Sequence, residues 1–347
     1  MQGRSDSENA DWRNLATGFL SPLFLGFAPV LGKMAYSGGS DPFTVAATRT
    51  VIAAAILWVV YALFFRKYIY IYPAGLIGCI AVGAINGVGS LFYYNGLHYV
   101  DASVAQLLNA TYLIFVVILA RLGGHHINRR TVLRAFLALI AVALLTGGVA
   151  GRISWVGAAL MLANAFLFAS TFMVSQRVLY EMPSPTVTLY VLTTMAVVVV
   201  MARLVYRLEW IPQSTEAFGA IFALGVTTAL SRLTLFFGIK KMGSLQTVFL
   251  GIFETAVALF MAAAFLGERL TPVQVLGVAI LMVSLLLIRR DDLSPQQRSG
   301  ESPLFNIASM SFNKIAFMQA FGKDEALKMT PDELERVRQM MQAPPRT

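Results

Sequence analysis

Two ionisable side chains, Arg232 and Glu254, lie deep inside long apolar stretches of this 347-residue chain. A guanidinium binds carboxylate or phosphate groups through paired hydrogen bonds, and a carboxylate among apolar groups holds a proton readily or binds an amine. A charge at the centre of a membrane costs about 2.5–3.5 kcal/mol. We predict that Arg232 meets an anionic group of a solute while Glu254 carries a proton or binds an amine, with a structural Arg232–Glu254 salt bridge as the equal alternative.

Further polar residues fall in the same apolar stretches. Asparagine both donates and accepts hydrogen bonds, which suits an amino-acid-like or sugar-like solute and equally suits bonds between helices. Tyr93 suits a cavity wall or a membrane interface, and the long stems of Lys33 and Arg49 can carry their charges into headgroups or a vestibule. The candidate substrate-binding residues are Arg232, Glu254, Asn86, Asn109, Tyr112, Asn164, Tyr93, Lys33 and Arg49.

The same inventory lacks the residue patterns of an enzyme. The single cysteine, Cys79, lies in an apolar stretch, which excludes a disulfide within the chain and a thiolate metal cluster. The histidines, His98, His125 and His126, are too few and too badly placed for a metal cage. The glycines of 83–89 follow no strand, so they do not form a phosphate loop. We predict no catalytic residue, no metal ion and no cofactor.

The elements that carry these side chains are membrane helices. Charged residues make up 13% of the chain and hydrophobic residues 57%, whereas soluble domains carry about 25% charged residues. The apolar stretches are about twenty residues long, the length that crosses about 30 Å of hydrocarbon as a helix. We predict an all-α integral membrane protein with about ten transmembrane helices. The predicted spans are 14–36, 42–65, 73–97, 102–122, 131–150, 154–180, 186–206, 216–239, 245–266 and 272–289.

The distribution of basic residues predicts the orientation. The net charge is +9, and most lysines and arginines near span ends fall on one side of the predicted membrane. The other side holds only Arg152, Arg203, Arg207 and Arg269. Cytoplasmic loops carry the excess of basic residues, so we predict a multi-pass protein of the plasma membrane with both termini in the cytoplasm. The basic residues then face membrane lipid, and nucleic acid is not an expected partner.

The two halves of the chain resemble each other at an offset of about 142 residues. The segment that begins at Thr111 matches the segment that begins at Phe253, and Gly96-Leu97 matches Gly238-Ile239. Each half holds five spans, an odd number, so the second half enters the membrane from the opposite side. Such inverted repeats are common in secondary transporters, whose substrate site lies near the midplane between the repeats. Duplicated channels and membrane enzymes are the alternatives.

The predicted domains follow from this repeat. Residues 1–152 form the first repeat, 153–290 form the second, and the polar segment 291–347 is a cytosolic tail. Within the tail, Thr330-Pro331-Asp332-Glu333 is a helix start.

The end of the second repeat resembles the EamA-type permeases of the drug/metabolite transporter superfamily. The residues that carry the resemblance are Gly267, Glu268, Arg269, Leu270, Thr271, Gln274 and Gly277, with Lys33 and 42–49 in the first repeat. The first repeat has Gly124-His125-His126 in place of the Gly-Glu-Arg turn. Leu113 and Thr255 stand where the family often has a proline early in spans four and nine.

The resemblance implies two inverted five-helix repeats around a central cavity. It also implies a secondary transporter that moves a small organic metabolite, such as an amino acid or a related solute, by alternating access. Proton coupling through Glu254 and assembly as a homodimer stay open at this point. The alternatives are a membrane enzyme that acts on lipid-linked substrates and a non-transporting sensor or scaffold, in which the tail is the working part.

Overall fold

A computed structural model of the chain describes residues 20–122, 154–206, 214–242, 251–268 and 271–286, with a few single positions between these ranges. This part is helical apart from turns and short loops. The helices are α1 Ala28–Ser37, α2 Pro42–Phe64, α3 Pro73–Tyr99, α4 Ala102–Asn109, α5 Tyr112–Leu122, α6 Trp155–Glu181, α7 Ser184–Tyr206, α8 Thr215–Met242, α9 Ile252–Leu266 and α10 Pro272–Leu286. A short 3-10 helix, Arg66–Tyr68, follows α2. Apart from single positions, the predicted fifth span, Gly124-His125-His126 and the tail lie outside the described residues.

The long helices have the dimensions of membrane spans. Six helical segments of the described chain are long and apolar enough to cross a bilayer, one of which joins α4 to most of α5: Pro42–Phe64, Pro73–Tyr99, Ala102–Leu119, Trp155–Leu179, Ser184–Val205 and Thr215–Lys241. Large apolar side chains such as Trp155, Val205 and Phe260 point outward from the bundle. An outward apolar surface on helices of this length suits lipid rather than water. The chain is therefore a multi-pass helical membrane protein.

Local sequence signals start several of these helices. Proline occupies the first position of α2, α3 and α10, where its missing N–H would have no helical partner. The carboxylate of Asp41 also caps α2 by accepting hydrogen bonds from the amides of Phe43 and Thr44 at 2.9 and 3.0 Å. The side chain of Ser154 caps α6 by accepting a hydrogen bond from the amide of Gly157. These caps satisfy amides that the first helical turn leaves unpaired.

The helix contacts follow a twofold pattern. Helix α3 packs on α6 and α7, and α8 packs on α1 and α2, while α2 packs on α7. Exchanging α1 with α6, α2 with α7 and α3 with α8 converts the first set of contacts into the second. Helix α9 packs on α1 as α4 and α5 pack on α6, which extends the pattern to the following pair of spans. The two halves therefore interlock through matching surfaces.

Small residues on α3 permit the closest of these contacts. A Cβ atom at Gly83 would lie 2.5 Å from the Thr194 Cβ, and one at Gly87 would lie 2.7 Å from the Val198 Cβ. Thr194 and Val198 stand one turn apart on α7. Glycine at these two positions lets the backbones of α3 and α7 approach.

Two of the predicted spans contain an interruption of the helix. A turn at Ala110 and Thr111 separates α4 from α5, and a turn at Gly251 precedes α9. These positions are related by the repeat offset of about 142 residues. The two turns meet, because the Tyr112 hydroxyl donates a hydrogen bond to the Val248 carbonyl at 3.4 Å. Phe27 interrupts the first span in the same way, between helical residues 20–26 and α1.

Candidate functional site

A small cavity lies between the two halves, where the interrupted spans meet the long helices. Its volume is about 60 Å³. Helices from both halves contribute to its wall, and most of the side chains are polar or aromatic. The lining residues are Leu25, Ala28, Arg49, Ile85, Asn86, Gly89, Ser90, Tyr93, Tyr94, Asn109, Asn164, Phe168, Thr171, Arg232 and Glu254.

Arg49 is a buried cation held by neutral groups. It lies in α2 and is only 6% exposed. Its Nη1 donates a hydrogen bond to the Thr228 hydroxyl at 2.8 Å, and its Nη2 donates one to the Ser90 hydroxyl at 2.6 Å. The guanidinium also lies 4.4 Å from the centroid of the Tyr94 ring, a distance typical of cation–π attraction. Snorkelling to the headgroups, one of the two predicted positions for this charge, is therefore wrong.

Arg232 enters the same cavity from α8. Its guanidinium lies 5.5 Å from the centroid of the Phe168 ring, and its side chain is 9% exposed. The Nη1 atom is buried and has no hydrogen-bond partner among the described residues. A buried donor without a partner is expensive, about 1–3 kcal/mol or more for a charged group. The cavity thus presents an unused N–H of a cation.

Glu254 owes its position to the helix break at Gly251. The break places the residue in the first turn of α9, where the positive end of the helix favours a negative charge. The Gln106 amide, on α4, donates a hydrogen bond to the Glu254 carboxylate at 2.8 Å. Although Glu254 and Arg232 line one cavity, neither a hydrogen bond nor an ion pair joins them in the described structure. The predicted direct salt bridge is absent there.

The asparagines complete the polar wall. Asn164 on α6 donates a hydrogen bond to Asn109 at 2.7 Å, which joins the two halves. Asn86 on α3 donates to the Thr171 hydroxyl at 3.0 Å and to its own helix at the Val82 carbonyl. These bonds orient the amides and leave part of each in the cavity wall. The asparagines therefore tie helices together and also lie in the cavity wall, while their contact with a solute stays a prediction.

Most of the predicted site residues converge. Seven of the nine candidates line the cavity: Arg49, Asn86, Tyr93, Asn109, Asn164, Arg232 and Glu254. Tyr112 does not line it, since its ring stacks on Phe172 and its hydroxyl bonds to the second interrupted span. Lys33 is half-buried on α1 and does not line it either.

Several wall residues were not among the predicted site residues. Ser90, Tyr94, Phe168 and Thr171 line the cavity, and Thr228 holds Arg49 in place. Serine, threonine and aromatic residues are ordinary in membrane helices, so their types carry little signal. The helical spacing of four between Asn86 and Ser90, and between Thr228 and Arg232, does place these pairs on common faces.

A second long-range polar contact lies where α9 ends. Here the turn between α9 and α10, which carries the side-chain carboxylate of Glu268, reaches the start of α4. The Glu268 side chain accepts hydrogen bonds from the amides of Ala102 and Ser103, both at 2.9 Å. The carboxylate of the Gly-Glu-Arg turn therefore caps a helix of the other half.

Within the described residues, no group of three His, Cys, Asp or Glu side chains could hold a metal ion.

Arg203 has a different place from the one its position in the sequence predicts. The prediction counts it among charges at the membrane surface. Its side chain is fully buried, and its Nε donates a hydrogen bond to the Thr44 hydroxyl at 2.8 Å. The residue therefore packs between α7 and the start of α2 instead of facing the headgroups.

Comparison with known proteins gives matches of three kinds: a family, a curated relative and solved structures. The EamA-like transporter family matches residues 13–147 and again 155–290. The "Uncharacterized transporter YcbK" of Bacillus subtilis (strain 168) is 23% identical over 262 residues, which cover 71% of this chain and 82% of that protein. One solved crystal structure is 17% identical in sequence to this chain. The match covers 79% of this chain and 96% of that chain with a TM-score of 0.61, so the two chains share a fold.

These matches point to a membrane transporter rather than an enzyme. The family match extends across both halves and includes the Gly-Glu-Arg turn and every helix that lines the cavity. The chain belongs to the EamA-like transporter family and is an EamA-type permease of the drug/metabolite transporter superfamily.

Proposed function

We propose that the chain forms ten transmembrane helices in two five-helix repeats of opposite orientation, residues 1–152 and 153–290, with a cytosolic tail at 291–347. The exchange of helix contacts between the halves supports a twofold relation. Five spans in each half would reverse the entry side of the second repeat. The excess of basic residues on one side supports cytoplasmic termini and a plasma-membrane location.

The function that the cavity supports best is secondary transport of a small organic solute of amino-acid type by alternating access. The observation that carries this proposal is the pair of buried charges, Arg232 and Glu254, which share one cavity without bonding to each other. Two buried charges with a purely structural role would gain most from direct contact. Charges held apart are instead available to a solute, the carboxylate to Arg232 and the amine to Glu254.

The present conformation is closed around these groups. A cavity of about 60 Å³ is far smaller than the roughly 300–1,000 Å³ of ordinary ligand pockets. A solute can enter only if helices of the two halves move apart. In the proposed orientation, the Glu268 cap on α4 lies at the outer end of the bundle, so it would hold that end closed until the helices separate.

The Glu254 carboxylate can bind a proton instead of a solute amine. An ionised carboxylate in this cavity is supported by one neutral amide, Gln106, and by the start of α9. Protonation would remove the charge before the cavity reopens. We propose Glu254 as the coupling residue if transport proves to be driven by protons.

Flux measurements on purified protein in proteoliposomes test the proposal. The panel contains amino acids, organic acids and related metabolites, and we expect flux of at least one class. Arg232→Gln should lower that flux at least tenfold, whereas Arg66→Gln, which removes an exposed cation outside the cavity, should leave it unchanged. Correctly inserted protein that moves no solute of the panel would count heavily against a transporter of this kind.

A further inference from the structure

The charge balance of the cavity restricts the solute further, if the proposed function holds. Two guanidiniums, those of Arg49 and Arg232, line the cavity, together with a single carboxylate, that of Glu254. All three side chains are at least nine-tenths buried. The wall therefore carries one more cation than anion in a place where water cannot screen the difference.

Among the described residues, no carboxylate is bonded to Arg49. Its Nη atoms bond to two uncharged hydroxyls, those of Thr228 and Ser90. Its Nε is buried and has no hydrogen-bond partner among the residues that the structure describes. Hydroxyl groups orient a guanidinium without neutralising it. A ring face, such as that of Tyr94 near Arg49, attracts a cation but does not neutralise its charge.

The two cations stand close enough to act on one solute. Thr228, which holds Arg49, and Arg232 are four residues apart on α8, which is about 6 Å along a helix. In the part of the chain that the structure describes, Nε of Arg49 and Nη1 of Arg232 are buried and have no hydrogen-bond partner. A small molecule with two carboxylates a few bonds apart would satisfy both.

Glu254 sets the remaining feature of the solute. Its carboxylate accepts one hydrogen bond from Gln106 and lines the same cavity, so it offers an acceptor to a hydroxyl or an amine. A zwitterionic solute with one carboxylate would neutralise one guanidinium and leave the other buried and uncompensated. A solute with two carboxylates compensates both guanidiniums. If it also carries an amine for Glu254, its net charge of −1 balances the wall, and if it has no amine, the balance requires a proton on Glu254.

We propose that the transported solute is a small dicarboxylate of net negative charge, including amino acids with an acidic side chain, and that Arg49 and Arg232 each bind one carboxylate. This proposal rests on the proposed function, since it names the substrate class of the same cavity.

The test compares solutes of equal size that differ by one charge. Full-length protein in proteoliposomes is given L-glutamate or L-glutamine, and succinate or its monoamide. We expect the solute with two carboxylates in each pair to be transported at least tenfold faster than its amide. It should also raise the unfolding temperature of the purified protein, whereas the amide should not. Equal or faster transport of the amides would overturn the charge assignment.

Variants of Arg49 test whether this residue causes the preference for glutamate over glutamine. Arg49→Gln should reduce the glutamate-to-glutamine flux ratio about tenfold, and Arg49→Lys should restore part of it. Lys67→Gln removes an exposed cation away from the cavity and should leave the ratio unchanged. If Arg49→Gln folds poorly, the wild-type comparison of thermal stabilisation by the paired solutes still decides the question.

The outcomes separate this inference from the function beneath it. Transport of glutamine or other neutral solutes without transport of the dicarboxylates overturns the inference and leaves the proposed transporter standing. Absence of flux for every solute of the wider panel overturns both. Selective flux of monoanionic phosphate esters would retain the anion-binding arginines but overturn the dicarboxylate.

Discussion

At the scale of single residues, the cavity depends on how buried charges are satisfied. Arg49 relies on hydroxyls and an aromatic ring, Arg232 on an aromatic ring, and Glu254 on an amide and a helix start. None of these arrangements neutralises its charge. Each side chain is therefore held in place without a bonded counter-ion among the described residues, as the proposed transport site requires.

The role of Glu254 is testable by its pH dependence. Glu254→Gln keeps the shape and the hydrogen-bonding capacity of the side chain but removes the titratable group. If Glu254 carries the coupling proton, the variant should lose most of the pH dependence of transport, measured as initial flux into proteoliposomes over a series of pH values. An unaltered pH profile would show that the proton role is wrong. Gln106→Leu serves as the comparison, since it removes the hydrogen bond to Glu254 and keeps the titratable carboxyl.

At the scale of helices, close approach and interruption place the site. Gly83 and Gly87 bring α3 against α7, and the turns at Ala110–Thr111 and Gly251 bring α4, α5 and α9 to the cavity. An interruption also exposes backbone groups and a helix start at membrane depth, which is tolerated where protein surrounds it.

The glycine contact predicts a pair of substitutions with different effects. Gly83→Ala should destabilise the protein by about 1–3 kcal/mol, because the new Cβ collides with Thr194 and overpacks the interface. Gly219→Ala, in α8, adds a Cβ with nothing within 4 Å and should be neutral or slightly stabilising. Thermal unfolding in detergent measures both. Similar unfolding temperatures for the two variants would contradict the steric account of the α3–α7 contact.

The cap by Glu268 predicts a coupling between the halves. Glu268→Ala should speed hydrogen exchange at the Ala102 and Ser103 amides about 2- to 30-fold, because a lost cap costs about 0.5–2 kcal/mol. It should also change flux, since the cap joins the α9–α10 turn to α4.

Asp41→Ala is the matched control for that experiment. Asp41 caps two amides in the same way, but those of its own helix, α2. Its loss should speed exchange at the start of α2 and leave α4 unaffected. Flux that stays unchanged in Glu268→Ala, with faster exchange at α4, would reduce the Glu268 contact to an ordinary helix cap.

At the scale of the whole molecule, two similar halves enclose a site that neither could form alone. The cavity takes Arg49 and Asn86 from the first half and Asn164, Arg232 and Glu254 from the second. Interlocking helices bury this wall, while the outward apolar surface faces lipid. The halves also differ, since Tyr112 corresponds to Glu254 by the repeat offset. Among the described residues that line the cavity, the carboxylate comes from the second half.

Deletion of the tail tests which part of the molecule does the work. A chain truncated after Arg290 retains both matched family segments and should retain at least half of the wild-type flux in proteoliposomes. A sensor or scaffold that acts through 291–347 would instead lose its partner binding in a pull-down from membranes. Complete loss of flux from properly inserted truncated protein would assign the tail an essential role in transport.

The sequence by itself determined the membrane residence, the repeat and the depth of the charges. Length and hydrophobicity suffice for these, because a bilayer selects apolar helices of about twenty residues. The lengths and boundaries of the apolar stretches also place Arg232 and Glu254 near the middle of the membrane. The internal repeat is also readable from the chain, because duplicated segments keep similar spacing.

Only the tertiary structure decided which polar side chains meet. Arg49 turns into the cavity while Lys33 does not, and Glu254 bonds to Gln106, 148 positions away. These outcomes depend on the rotation of each helix about its axis and on interruptions such as that at Gly251, and packing between distant segments sets both. The sequence names residues that could form a site, whereas the packing of the two halves selects those that do.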